Sequence, residues 1–169
     1  VSEWLIEDLL NSAKRSAVHL ETRDNYMLGG EDFVAWQRNA FDPIEHLGSW
    51  LDLVRATVGR GVVMRRARVV SEPIHEYIKF EWDVTVHNIE AGEHVRWLPR
   101  RFASDIALPG NDFWLVDERI VVFNHFDGTG SWATPPEEIR KESSVAELCA
   151  TAFEAVWERA TPHAEYRPV

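Results

Sequence analysis

A chain of 169 residues is long enough for one domain with a full hydrophobic core and short for two. The formal net charge of −10 creates a field that repels phosphate backbones and argues against direct nucleic-acid binding; no apolar run approaches the length of a membrane span. The single cysteine, Cys149, excludes an internal disulfide, and the acidic start at residues 1–8 is unlike a basic signal peptide, so a reducing, cytoplasmic setting is expected.

Residues 3–15 place Ile6, Leu9, Leu10 and Ala13 at helical spacing, with Ser2 as the expected N-cap. Residues 17–23 alternate, Val18, Leu20 and Thr22 on one face and His19, Glu21 and Arg23 on the other, which predicts a half-buried strand. A short helix is expected near residues 31–39, then a loop over 41–48. Ser49 is the expected cap of a helix carrying Trp50, Leu53, Val54, Thr57 and Val58, closed by Gly61. Residues 62–70 are β-rich and predict a central strand. Pro73 is placed in the first turn of a helix with Ile74, Tyr77, Ile78 and Trp82 on its apolar stripe, stopped by Gly92.

A strand is expected over 94–100, two strands folded about Asp117-Glu118-Arg119 over 113–123, and a turn at Gly128-Thr129-Gly130. The last helix shows a capping-box pattern at Ser144 to Glu147, and Pro162 ends it before a tail read as a surface segment. Helices alternating with strands predict a mixed, mostly parallel sheet with helices on both faces and an antiparallel hairpin added.

No intact catalytic or metal motif is present. His75-Glu76 begins like H-E-x-x-H, but the fifth position is Lys79, and the histidines have no partners at zinc-site spacing. No cofactor is implied. Asp112, Asp117 and Asp127 are carboxylates a hard cation could take, against turn roles for Asp117 and Asp127. Arg66 and Arg68 lie two apart on one face of the central strand, Arg65 points the other way, and Arg96, Arg100 and Arg101 recur in the next strand. Buried guanidiniums need partners, and Glu21, Glu72, Glu81 and Asp112 are available. A closed salt-bridge network is the plainer reading; a pocket for a small anionic ligand is the sharper one.

Two resemblances add to this. Arg60-Gly61-Val62, Arg66-Ala67-Arg68-Val69-Val70-Ser71-Glu72-Pro73, Val95-Arg96-Trp97-Leu98-Pro99-Arg100-Arg101, Pro109-Gly110-Asn111-Asp112-Phe113-Trp114 and Val122-Phe123-Asn124-His125-Phe126-Asp127-Gly128 resemble an actinobacterial family of unknown function, family 6879. That resemblance implies a bacterial cytoplasmic protein encoded near helix-turn-helix regulators. More distantly, residues 49–125 look like one half of a phospholipase D-type fold: a helix leading through Arg-Gly-Val into a central strand (53–70), a helix and edge strand (73–98), then a hairpin carrying H-x-K-x4-D. Aligning the aspartate with Asp117 puts Gly110 in place of the histidine and Asp112 in place of the lysine. Glycine carries no nucleophile, and aspartate repels a phosphate, so the resemblance implies a cavity without the reaction.

One α/β domain over 1–169 is therefore expected, with residues 1–48 as an extension and 49–160 as the phospholipase D-like core. The expected function is non-enzymatic: a regulatory or ligand-sensing domain acting through a protein partner, a helix-turn-helix DNA-binding regulator. The resemblance also implies a homodimer, because phospholipase D-type sites are built from two halves. Arg66, Arg68, Arg96, Asp112, Asp117 and His125 are the expected ligand-binding residues. A hydrolase or phosphodiesterase using Asp112, Asp117 and His125 with a metal, and a purely structural module, are the alternatives.

Overall fold

The computed structural model describes residues 5–169, so the expected Ser2 cap lies outside the described residues. The elements run α1 (Leu5–Ser12), β1 (Ser16–Glu21), α2 (Glu31–Gln37), α3 (Pro43–Gly59), β2 (Val63–Val70), α4 (Glu76–Glu90) and β3 (His94–Pro99). A 3₁₀ turn at Arg100–Phe102 leads to β4 (Asp112–Val116), β5 (Ile120–Phe126), β6 (Trp132–Arg140), α5 (Ser143–Arg159) and β7 (Thr161–Pro162). The seven strands form one sheet in the order β6-β5-β4-β1-β2-β3-β7.

The expected mixed sheet with helices on both faces is present, but the balance of directions differs. Only β1–β2 and β2–β3 pair in parallel; the other four pairings are antiparallel. The reason is the connections. Helical crossovers join β1 to β2 and β2 to β3, whereas β4, β5 and β6 follow one another through short turns that reverse the chain. β1 comes from the segment read as an extension, yet it hydrogen-bonds to both β2 and β4 in the middle of the sheet.

One face of the sheet, with Val18, Leu20, Ala67, Val69, Phe113 and Leu115, packs under Cys149, Phe153 and Val156 of α5. The other face lies under α1, α3 and α4. Both faces of β1 are thus covered, and five of its six residues are buried. Strict alternation of apolar and polar residues had suggested a strand with one wet face. The polar side here faces into the protein.

Several boundaries differ for local reasons. α3 starts at Pro43, in the expected loop, because the Asp42 side chain accepts from the Ile44 and Glu45 amides and Pro43 sits where its missing N–H is harmless. α4 starts at Glu76, after Pro73, with His75 Nδ1 accepting from the Tyr77 amide. The Ser144 to Glu147 capping box does not form; α5 begins at Ser143. β6 was not foreseen, because it holds Pro135 and Pro136, which an edge strand tolerates. The tail is no loose surface segment: Thr161 and Pro162 pair with β3, and the buried Tyr166 ring stacks on Trp97 at 5.5 Å. No helix of the described residues is long and apolar enough to cross a membrane.

Candidate functional site

The parallel register of β1 and β2 sets His19 beside Arg66 and Glu21 beside Arg68. All four side chains project to the face covered by α3 and α4, and all four residues are buried. Glu21 bridges the arginines: Oε1 accepts from Arg66 Nη1 at 2.8 Å and Oε2 from Arg68 Nε at 2.5 Å. Arg66 Nε donates to Glu93 Oε1 at 2.7 Å, and Asn88 Nδ2 holds the other Glu93 oxygen at 2.8 Å. Arg68 Nη1 donates to Thr85 Oγ1 at 2.5 Å. Aromatic rings back the guanidiniums, Trp114 over Arg66 at 5.5 Å and Trp97 over Arg68 at 4.9 Å.

These residues form the floor of a cavity of about 300 Å³ between the sheet and α2, α3 and α4. Tyr26, Trp50, Tyr77, Phe80, Phe126 and Trp132 supply aromatic walls. Asp112 lines it at the start of β4, where Oδ1 accepts from the Thr22 amide and hydroxyl and Oδ2 accepts a short hydrogen bond from the Tyr26 hydroxyl. Glu81 reaches in from α4. Its Oε2 is buried and accepts no hydrogen bond; the nearest cation is Arg68 Nε at 3.5 Å, which donates to Glu21 instead. His19 stacks on Trp114 at 4.1 Å, and its Nδ1 is also buried without a hydrogen-bond partner.

Burial sets the protonation of this cluster. It pushes His19 down to about 3, keeping the imidazole neutral. It pushes Glu81 up to about 8 despite the pull of Arg68, and Asp112 up to about 6 against the hydrogen bonds from Tyr26 and Thr22. For Glu21, burial acts in the same direction, but Arg68 and Arg66 together hold the carboxyl far below its ordinary range.

Of the six residues expected to bind a ligand, Arg66, Arg68 and Asp112 meet in this cavity. The other three lie elsewhere. Arg96 projects to the α5 face, where Nη1 donates to the Trp157 carbonyl at 3.0 Å and the guanidinium lies 4.4 Å from that ring. Asp117 sits at the far end of the sheet with φ of +52°, accepting from the Lys14, Arg15 and Ser16 amides. His125 faces Glu138 on β6 at 3.4 Å. Asp127 makes the expected turn, accepting from the Thr129 amide and hydroxyl. Asp112, Asp117 and His125 therefore form no common centre. Among the described residues, no group of three His, Cys, Asp or Glu side chains is placed to hold a metal ion.

The partners of the arginine pair were only partly foreseen. Glu21 and Glu81 are there. Glu72 instead faces Arg101 at 3.3 Å and accepts from the Tyr166 hydroxyl at 3.0 Å. Glu93 was missed, because it follows the glycine that ends α4 and reads as part of a turn. Nor does the pocket carry surplus positive charge, as an anion would need: each guanidinium is already paired with carboxylate, and further acids line the walls.

A mixed sheet of this order, with helices on both faces, is a phospholipase D-like fold. Over 96% of this chain and 89% of the other, it superposes on Nuc from Salmonella typhimurium, a phospholipase D family member, with a TM-score of 0.56 at 14% identity. NucT from Helicobacter pylori matches 93% of this chain and 87% of its own, with a TM-score of 0.51 at 8% identity. TrmBL2, an archaeal chromatin protein with a novel mode of DNA binding, matches 92% of this chain but 49% of its own, with a TM-score of 0.51 at 15% identity. By sequence, residues 5–168 match a domain of unknown function, DUF6879, and the chain belongs to that family. No curated protein matches it in sequence.

Proposed function

We propose that this chain is a non-enzymatic ligand-sensing domain that holds a small molecule between α4 and the sheet and signals through a protein partner. The observation that carries the reading is the buried Glu81 Oε2. Glu81 lines a cavity of ligand size and this oxygen accepts no hydrogen bond, while Arg68 Nε and Nη1 donate to Glu21 and Thr85. Buried polar groups normally find partners, and a carboxyl left incompletely bonded at the wall of a pocket is best explained by a ligand atom. The absence of a nucleophile at Gly110 and the scatter of Asp112, Asp117 and His125 favour sensing over hydrolysis.

A DNA-binding regulator is the partner this reading favours. The chain's own charge of −10 is unsuited to DNA, and a fold similar to this one makes up about half of TrmBL2, a DNA-binding chromatin protein, which supports a link to DNA through a partner. The same reading has the chain working as a homodimer. Native mass spectrometry of freshly purified protein is the test, with a non-covalent small-molecule adduct as the expected result. A chain that carries no adduct, and whose melting temperature is unmoved by a broad metabolite library, would overturn the reading.

A further inference from the structure

We propose that the molecule held in this cavity is a small organic cation, its apolar body against the aromatic walls and its protonated nitrogen donating to the Glu81 carboxylate. This rests on the ligand-sensing reading and narrows it to one class of ligand.

The charge inventory is the first argument. Five carboxyl groups line the cavity, those of Glu21, Asp32, Glu81, Asp112 and Glu137, against the two guanidiniums of Arg66 and Arg68. Arg66 is further neutralised from behind by Glu93. Burial keeps His19 neutral and keeps the proton on Glu81 at neutral pH, so before a ligand arrives the four other carboxyl groups still outnumber the two guanidiniums. An anion would meet a net negative wall and guanidiniums already bonded to Glu21, Glu93 and Thr85.

The second argument is what the ligand must supply. Once ionised, Glu81 can only accept, and a donor that also carries charge favours that form over the protonated one and leaves the carboxylate paired away from bulk water. Among the described residues no set of ligands suits a bare metal ion, so the charge has to arrive on a larger molecule. The third argument is the wall. Tyr77 and Phe80 flank Glu81 along α4, and Phe126 and Trp132 stack at 4.4 Å across the same space. Rings of this kind attract a cation through their faces and give its apolar portion a dry surface.

Three probes of nearly the same shape separate the outcomes: benzamidine, benzamide and benzoate, which are cationic, neutral and anionic. Binding is read from the fluorescence of Trp50, Trp114 and Trp132, which line the cavity. Benzamidine should bind saturably and at least about tenfold more tightly than either of the others, and Glu81→Gln, which keeps the shape, should remove most of that preference. Calorimetry at pH 7 in two buffers of different ionisation heat reads the same contact without a variant. Glu81 faces Arg66 and Arg68 from β2, Glu21 from β1 and Asp112 from β4, with His19 of β1 lining the same cavity, and it should release its proton when the cation arrives. Benzamide or benzoate binding as tightly as benzamidine would overturn the cation assignment and leave the sensing reading standing. No response to benzamidine, or binding without proton release, would overturn the assignment too, and the adduct measurement would then decide the sensing reading by itself.

Discussion

Arg68 and Glu21 are cross-strand neighbours in a parallel pair, bonded Nε to Oε2 at 2.5 Å with both side chains at least nine-tenths removed from solvent. The pairing is a consequence of pattern. β1 carries His-x-Glu and β2 carries Arg-x-Arg on the same face, and a parallel register sets one triplet beside the other. A one-residue slip would turn both onto the α5 face, against Phe153 and Val156, where the carboxylate at hand, Glu154, is already taken by Arg65, so the ion pair and the register support each other.

Arg68→Ala should destabilise the fold by about 3 kcal/mol or more, the size expected when one member of a buried pair is left uncompensated. Arg65→Ala is the comparison. Arg65 pairs with the half-exposed Glu154 on the other face, and its loss should cost no more than about 1 kcal/mol. Urea denaturation reads both. Equal losses would show that the fuller burial of the Arg68 pair adds nothing beyond what the partly exposed Arg65 pair supplies.

Glu81 makes the stability of the fold pH-dependent in an unusual direction. Its carboxyl is raised from an ordinary 4.5 to about 8 in the folded chain, so between those values the folded state binds the extra proton. The stabilisation is present in full below pH 4.5 and is lost as pH rises through 8, with a slope of at most about 1.4 kcal/mol per pH unit. Glu81→Gln removes this dependence. The variant should be close to wild type at pH 5 and should gain on it steadily up to pH 8. A constant difference across that range would show that Glu81 is already ionised in the native fold.

Which parts of this were legible in the sequence follows from what each pattern measures. The helices α3, α4 and α5 and the strands β2 to β5 were legible because their apolar spacing reports a buried face directly. The arginine pair stood out because two guanidiniums on a β-rich strand demand partners. The alternation of residues 17–23 predicts a half-buried strand with His19 and Glu21 on the polar face, because alternation reports only that two faces differ in polarity, not that the polar one is exposed; Glu21 is nonetheless among the partners the arginines call for. The matching triplets on β1 and β2 were the available signal. Glu93 and the open Glu81 oxygen depend on how α4 ends and where it crosses the sheet, and neither has a local sequence mark. Arg96 joins the expected site as an arginine of the neighbouring strand, Asp117 through the phospholipase D-type signature and His125 as a metal ligand beside the aspartates, but strand alternation and the length of β4 send all three to other places.

Asp117 serves the chain rather than a ligand. Its carboxylate collects the Lys14, Arg15 and Ser16 amides where α1 hands over to β1, and these bonds hold its pKa below the ordinary value even though partial burial opposes them. Asp117→Ala should cost about 2 kcal/mol through unsatisfied amides and the positive φ at that position. Because the folded pKa is depressed, the wild-type advantage should hold above pH 3.8 and fade as the solution is acidified below it. Benzamidine affinity should not change. Hydrolysis of bis(p-nitrophenyl) phosphate should be absent from wild type; robust turnover abolished by Asp117→Ala would restore the catalytic reading of this residue.

Gly92 connects the end of α4 to the charged site. Its φ of +108° closes the helix, its amide donates to Ile89 at 2.9 Å, and the next residue, Glu93, then points inward to Arg66. An added Cβ would lie 2.9 Å from Val58 Cγ1 on α3, closer than packed carbons come, and a valine terminus on a neighbouring helix has little freedom to retreat. Gly61 also has a positive φ, +90°, but a Cβ there would meet nothing within 4 Å. Gly61→Ala should therefore cost only the backbone strain of about 1 kcal/mol, whereas Gly92→Ala adds a clash and a displaced Glu93, for about 3 kcal/mol in all. The displacement should also register at the site: with Glu93 drawn off Arg66, the fluorescence of Trp50 and Trp114, whose rings lie within 6 Å of that guanidinium, should change in Gly92→Ala and not in Gly61→Ala. Two variants of equal stability and unaltered spectra would mean that α3 yields at Val58 and that the approach of α4 to the sheet does not fix Glu93.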